Sequence, residues 1–96
     1  PKYPVVPRDI AVVVDETVTA AQVQQVMEQA PVKVILENVS LFDVYRGKGI
    51  PEGKKSMAYS YTLRAEDRTL TDEDISGAME ALVKALRARL GAELRG

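Results

Sequence analysis

Between Lys55 and Ala65 the chain places Met57, Tyr59, Tyr61 and Leu63 on one parity and Ser56, Ala58, Ser60, Thr62 and Arg64 on the other. Successive strand side chains point to opposite faces, so this segment is a strand with one buried apolar face and one open polar face. A chain that contains it needs a sheet covered on one side only. The cover must come from the same 96 residues. A chain of that size buries roughly 60–70% of its unfolded surface and supports one core rather than two.

The neighbouring segments supply the cover. Pro1, Pro4 and Pro7 punctuate an extended lead-in over residues 1–7, because proline lacks a backbone donor. Ile10, Val12 and Val14 then alternate with Asp9, Ala11, Val13 and Asp15, which predicts a first strand. Thr19-Ala20-Ala21-Gln22 has capping-box form, and Val23, Val26, Met27 and Ala30 follow at helical spacing until Pro31. Val34 to Tyr45 returns to a strand pattern, long enough to bend. Leu36, Phe42 and Val44 share one parity there, and Val39, Leu41, Asp43 and Tyr45 the other. Arg46 to Gly53 contains Gly47, Gly49, Pro51 and Gly53, a turn composition that joins this strand to the next as a hairpin. Thr71 is the expected N-cap of a second helix, with Asp72, Glu73 and Asp74 at its positive dipole end. Its apolar stripe is Ile75, Met79, Leu82, Val83, Leu86 and Leu90, with Lys84, Arg87 and Arg89 toward the other end and Gly91 as C-cap. Ala92 to Arg95 is left as a short edge strand.

The order strand, helix, strand, strand, helix, strand predicts an α+β chain of the ferredoxin-like βαββαβ type. Four antiparallel strands form the sheet, and two helices lie on one face of it. Residues 1–96 read as one domain. The missing initiator Met leads us to expect a fragment of a longer chain.

Composition narrows the function. With no Cys and no His there is no thiol nucleophile, imidazole base or disulfide framework, and any metal would need hard oxygen ligands. The Asp72-Glu73-Asp74 run is explained by its place at a helix start. No cofactor is expected. No apolar run reaches the roughly 18–20 residues of a membrane span, and the N-terminus lacks the apolar centre of a signal peptide. A cytoplasmic location without membrane contact is the expectation.

Thirteen Lys and Arg against 14 Asp and Glu give a formal charge of −1, which disfavours a dedicated nucleic-acid binder. The distribution says otherwise. Arg46 to Arg64 holds five basic residues and one acid, Glu52, whereas Glu66 to Glu80 holds six acids and only Arg68. Alternation directs Ile10, Val12, Val14, Phe42, Val44, Met57, Tyr59, Tyr61 and Leu63 toward the helices. The open face then carries Ala11, Val13, Leu41, Asp43, Tyr45, Ser56, Ala58, Ser60, Thr62 and Arg64, beside Arg46, Lys48, Lys54 and Lys55 of the hairpin. An aromatic among hydroxyls and cations suits unstacked RNA bases, which stack on rings and present their edges to polar groups. Asp43 is unsuited to phosphate, but a carboxylate accepts both donors of a guanine edge.

Five ordered blocks resemble a known family over essentially the whole chain. They are Tyr3-Pro4, Arg8-Asp9-Ile10-Ala11, Phe42-Asp43-Val44-Tyr45-Arg46-Gly47, Gly53-Lys54-Lys55-Ser56-Met57-Ala58 and Arg68-Thr69-Leu70-Thr71-Asp72-Glu73. The family is the ferredoxin-fold anticodon-binding domain that closes the beta subunit of bacterial phenylalanyl-tRNA synthetase. The resemblance implies a non-catalytic module that binds the anticodon of phenylalanine tRNA. Tyr45 matches the family's stacking tyrosine for the first anticodon base, and Asp43 and Ser56 match base-contacting positions. Arg46, Lys48, Lys54 and Lys55 are expected to meet phosphates. The implied partners are that tRNA, the remainder of the beta subunit and the alpha subunit, with amino-acid activation lying elsewhere.

Two other functions compete. A protein-interaction or small-ligand regulatory module of the same fold draws support from Val13 and Leu41 on the open face and from the near-zero charge. An acylphosphatase-like hydrolase would need a Gly-rich loop with a catalytic arginine after the first strand, and none follows Asp15.

Overall fold

The computed structural model describes residues 3–95; Pro1 and Lys2 of the expected lead-in, and Gly96, lie outside the described residues. The elements run β1 (Val6–Asp15), α1 (Ala20–Gln29), β2 (Ile35–Tyr45), β3 (Lys54–Arg64), α2 (Asp72–Leu90) and β4 (Glu93–Leu94). They build one antiparallel sheet in the order β2-β3-β1-β4, as the pattern required. β1 starts inside the expected lead-in, with Pro7 opposite Thr62. Proline is tolerated there because β4 reaches only Val12 and Val13, which leaves that length of β1 as a sheet edge with no ladder bond to lose.

Both helices begin in reciprocal caps. The Gln22 amide donates to Thr19 Oγ1 at 3.1 Å while the Thr19 amide donates to Gln22 Oε1 at 2.8 Å. Thr71 and Asp74 repeat the arrangement at 3.1 and 2.9 Å, so two otherwise orphaned amides at each helix start are satisfied. The amide of Thr71, followed by Arg68, holds the Asp74 carboxyl below the usual carboxylate range. Gly91, with φ +64, ends α2 in the left-handed conformation that glycine adopts without steric cost.

The core lies between the sheet and the helices. Ile10, Val12 and Val14 of β1 and Met57, Tyr59, Tyr61 and Leu63 of β3 are buried against Val23, Val26 and Met27 of α1 and Ala78, Leu82 and Leu86 of α2. Each large apolar side chain buried in this way stabilises the fold by about 1.5–3 kcal/mol. Tyr59 also fastens α1 to the sheet, its hydroxyl donating to the Ala20 carbonyl at 2.9 Å. Burial pushes the Tyr59 and Tyr61 phenols above their ordinary range.

Strand β2 departs from simple alternation at two bulges. The first lies between Glu37, opposite Thr62, and Ser40, opposite Ser60; the second lies between Leu41, opposite Tyr59, and Asp43, opposite Ala58. Each inserts one residue and so exchanges the two faces of the strand beyond it. Asn38 makes the first bend at φ +58, and its amide donates to Thr62 Oγ1 at 3.0 Å. Between the bulges Val39 and Leu41 pack toward the core, while Phe42 is 58% exposed. The expected places of Leu41 on the open face and Phe42 in the core are therefore reversed. The second bulge restores the original parity, so Val44 lies opposite Met57 as expected, although it stays 39% exposed.

Candidate nucleic-acid interface

Register converts the uncovered face into rows. Tyr45, Ser56 and Val13 form one; Asp43, Ala58 and Ala11 the next; Ser40, Ser60 and Asp9 a third; Glu37, Thr62 and Pro7 a fourth. Neighbours within a row are about 4.8 Å apart, and successive rows about 6.7 Å apart, two strand residues. Tyr45 and Asp43 thus fall on one face in adjacent rows, as alternation predicted.

The Tyr45 ring is held at its hydroxyl and on one face. Its hydroxyl donates to the Lys48 carbonyl at 3.0 Å, which pins the ring to the hairpin turn. Gly47 makes room for it at φ +131, where an added Cβ would lie 3.3 Å from the Tyr45 hydroxyl oxygen. Over one face the Arg95 guanidinium stands 4.9 Å from the ring centroid, a cation–π contact. Arg95 Nη1 also donates to Ser56 Oγ at 3.4 Å, and the Arg95 amide donates to the Ala11 carbonyl at 2.9 Å. Ser56 consequently lies beneath Arg95 and is only 2% exposed. It belongs to the same row as Tyr45, but it is reached only when the guanidinium lifts.

Arg95 was missed from sequence. It lies 50 positions beyond Tyr45, in a segment with no motif, and only the pairing of β4 with β1 brings it across the sheet.

The basic residues are less free than their number suggested. Arg46 forms a two-pronged pair with Glu16, its Nε donating to Oε2 at 2.8 Å and its Nη2 to Oε1. That bond lowers the Glu16 carboxyl below its usual range and raises Arg46. Lys54 lies 3.2 Å from Asp15 Oδ1. Lys55 lies opposite Val14 on the helix side, 8% exposed, with its ammonium donating to the Glu16 carbonyl at 2.9 Å. Of the four hairpin cations only Lys48 has no ion-pair partner among the described residues. The local positive excess is thus offset by Asp15 and Glu16, which sequence distance had hidden.

Farther along the face Arg64 Nε donates to Glu37 Oε1 at 2.8 Å, which holds the Glu37 carboxyl low. Leu41, one of the two apolar residues that favoured a protein-interaction surface, has left this face for the core side. Among the described residues no helix is long and apolar enough to cross a membrane. Among the described residues no three His, Cys, Asp or Glu side chains gather as a metal would need.

An open four-stranded sheet backed by two helices, with one aromatic set among polar side chains, defines a ferredoxin-fold domain with an uncovered sheet face. The chain belongs to the ferredoxin-fold anticodon binding domain family, whose model matches residues 1–95. It is similar to phenylalanine–tRNA ligase beta subunits. That of Halalkalibacterium halodurans is 51% identical over 96 residues, 100% of this chain and 12% of that protein. That of Syntrophotalea carbinolica is 50% identical over 94 residues, 98% of this chain and 12% of the relative. The Corynebacterium efficiens protein is 51% identical over 94 residues, 98% of this chain and 11% of the relative. The chain thus spans about an eighth of the length of these relatives and corresponds to their anticodon-binding, non-catalytic part.

Proposed function

We propose that this domain reads the anticodon of phenylalanine tRNA on its open sheet face, on behalf of a phenylalanine–tRNA ligase. The observation that carries the reading is the Tyr45 ring. It is fixed at its hydroxyl by the Lys48 carbonyl, met on one face by a guanidinium, and placed one row from Asp43, a carboxylate with no ion-pair partner among the described residues. The first anticodon base stacks on Tyr45. Insertion between ring and guanidinium needs about 7 Å, two stacked spacings of about 3.4 Å, against the 4.9 Å now between them. Arg95 therefore lifts by about 2 Å and frees the Ser56 hydroxyl for a base edge. An exposed cation–π contact is worth only about 0.5–1 kcal/mol, so this opening costs little.

Asp43 accepts from the amino group of the neighbouring base, and its charge selects donors against the acceptor-only edges and phosphates that it repels. Lys48 meets the backbone as a free cation. Arg46 and Lys54 contribute there only to the extent that they exchange Glu16 and Asp15 for phosphate, and Lys55 supports the hairpin from beneath. The remainder of the beta subunit and the alpha subunit supply the other tRNA contacts and the chemistry, in the cytoplasm. This domain requires no cofactor of its own.

The test is titration of this chain at low salt with the anticodon stem-loop of phenylalanine tRNA and with loops altered at the first anticodon base. Stacking on one aromatic is worth about 1–3 kcal/mol, so Tyr45→Ala weakens binding roughly 5- to 150-fold and erases first-base preference. Equal binding of all loops, unchanged by Tyr45→Ala, defeats the assignment.

A further inference from the structure

Five carboxylates sit on strand positions of the open face or its edge: Asp9, Asp15, Glu37, Asp43 and Glu93. Three are neutralised, Asp15 by Lys54 at 3.2 Å, Glu37 by Arg64 at 2.8 Å and Glu93 by Arg87 at 3.5 Å. Asp9 and Asp43 meet neither a cation nor a hydrogen-bond donor among the described residues. Both are exposed, and they occupy consecutive rows. An uncompensated negative charge on a surface that receives polyanionic RNA is repulsive unless a donor from the ligand meets it.

Asp9 does not stand alone in its row. Ser60 lies directly opposite it on β3, and Ser40 lies opposite Ser60 on β2. We propose that Asp9, Ser60 and Ser40 form a further base subsite, one row beyond Asp43, that takes the amino edge of the third anticodon base. This rests on the reading of the face as an anticodon platform and extends it by one nucleotide.

The spacing suits a splayed strand. Rows repeat at about 6.7 Å, and unstacked nucleotides separate to roughly twice the 3.4 Å stacked rise, so each row meets one base. The chemistry suits adenine, which the genetic code places third in an anticodon for UUU and UUC. The Asp9 carboxylate accepts from its amino group, while a serine hydroxyl, either donor or acceptor, donates to the adjacent ring nitrogen. Uracil has no amino group and would turn a carbonyl oxygen toward the carboxylate; cytosine presents the same amino and ring-nitrogen pair as adenine, and guanine offers the carboxylate two donors but no ring acceptor for a donating serine.

The experiment compares the chain with its Asp9→Asn and Ser60→Ala variants against stem-loops carrying each of the four bases at the third anticodon position. Loops altered at the first position and a loop deoxy-substituted at the third nucleotide serve as controls. The unaltered chain is expected to prefer adenine to uracil, the base without an amino group, and Asp9→Asn to reduce that preference about tenfold, or about 1.4 kcal/mol, with first-base discrimination retained. Ser60→Ala should act in the same direction. Should Asp9→Asn bind every loop more tightly with third-base preference intact, the carboxylate is only repulsive and the subsite is overturned. Loss on deoxy substitution without any base preference would assign Asp9 to the ribose and overturn it as well. If first-base discrimination and the effect of Tyr45→Ala are also absent, the platform reading fails with it; if they persist, the third row alone is refuted.

Discussion

Gly47→Ala probes how the stacking platform is held. The native φ of +131 is one that an alanine adopts at a cost of about 1–3 kcal/mol, and the new Cβ meets the Tyr45 hydroxyl oxygen at 3.3 Å. Gly49, at φ +90, has nothing within 4 Å of an added Cβ. Gly49→Ala therefore carries comparable backbone strain without touching the ring. Both variants should lower the melting temperature by roughly 4–24 °C, at about 4–8 °C per kcal/mol for a domain of this size. Only Gly47→Ala should also weaken stem-loop binding, because the Tyr45 hydroxyl must give by a few tenths of an ångström, which strains its hydrogen bond to the Lys48 carbonyl, worth about 0.5–1.5 kcal/mol when fully made. Tyr45→Phe supplies the internal control. With the hydroxyl removed, the nearest ring atom lies 3.6 Å from the added Cβ, an ordinary contact. The double variant should regain binding to within about 0.5 kcal/mol of Tyr45→Phe alone, the coupling signature expected of residues in contact. Calorimetry with stem-loop titration on the unaltered chain and the four variants measures both quantities. Equal loss of binding in Gly49→Ala, or no recovery in the double variant, would refute a steric link between the turn and the ring.

Two further outcomes are expected from the fold. Leu41→Ala should cost more than about 1 kcal/mol, while Phe42→Ala stays within about 0.5 kcal/mol; denaturant unfolding that reversed this order would remove the first bulge, which turns Leu41 inward. Glu16, Glu37 and Asp74 all have lowered carboxyl pKa values in the folded chain. Their contribution is thus fully present above the unfolded carboxylate range, about pH 4–4.5, and is lost as pH falls through the lower folded values. Melting curves should show stability falling as pH drops below about 4, with Arg68→Gln and Arg64→Gln flattening the slope, and a slope unaffected by either variant would contradict the ion pairs.

Most of the architecture was legible because local rules and tertiary structure agree. β3 alternates without interruption, both helices announce their N-caps, and Gly91 stops α2 where the stripe ends. β2 was not, because its inward residues Leu36, Val39, Leu41 and Val44 are spaced three, two and three apart, and no glycine marks either insertion. Asn38, a residue that tolerates a left-handed backbone, was the one local hint. Tyr45 and Asp43 were readable from parity, since the two bulges cancel before either is reached. The electrostatics failed for another reason. Asp15 and Glu16 neutralise the hairpin only because β1 pairs antiparallel with β3, which sets Asp15 opposite Lys54 across 39 positions of sequence. Exposed pairs of this kind add little stability, but they decide which cations remain free for a ligand.

The contact between Arg95 and Tyr45 also has a direction in time. The tyrosine belongs to the third element to leave the ribosome, whereas the guanidinium that covers it arrives with the sixth. A nascent domain can form its hairpin and first helix while the ring is still bare. The cover closes only after α2 has packed and β4 has docked on β1. Closure of the ring therefore depends on the last element being in place, and a chain truncated within α2 would lack the residue that covers Tyr45.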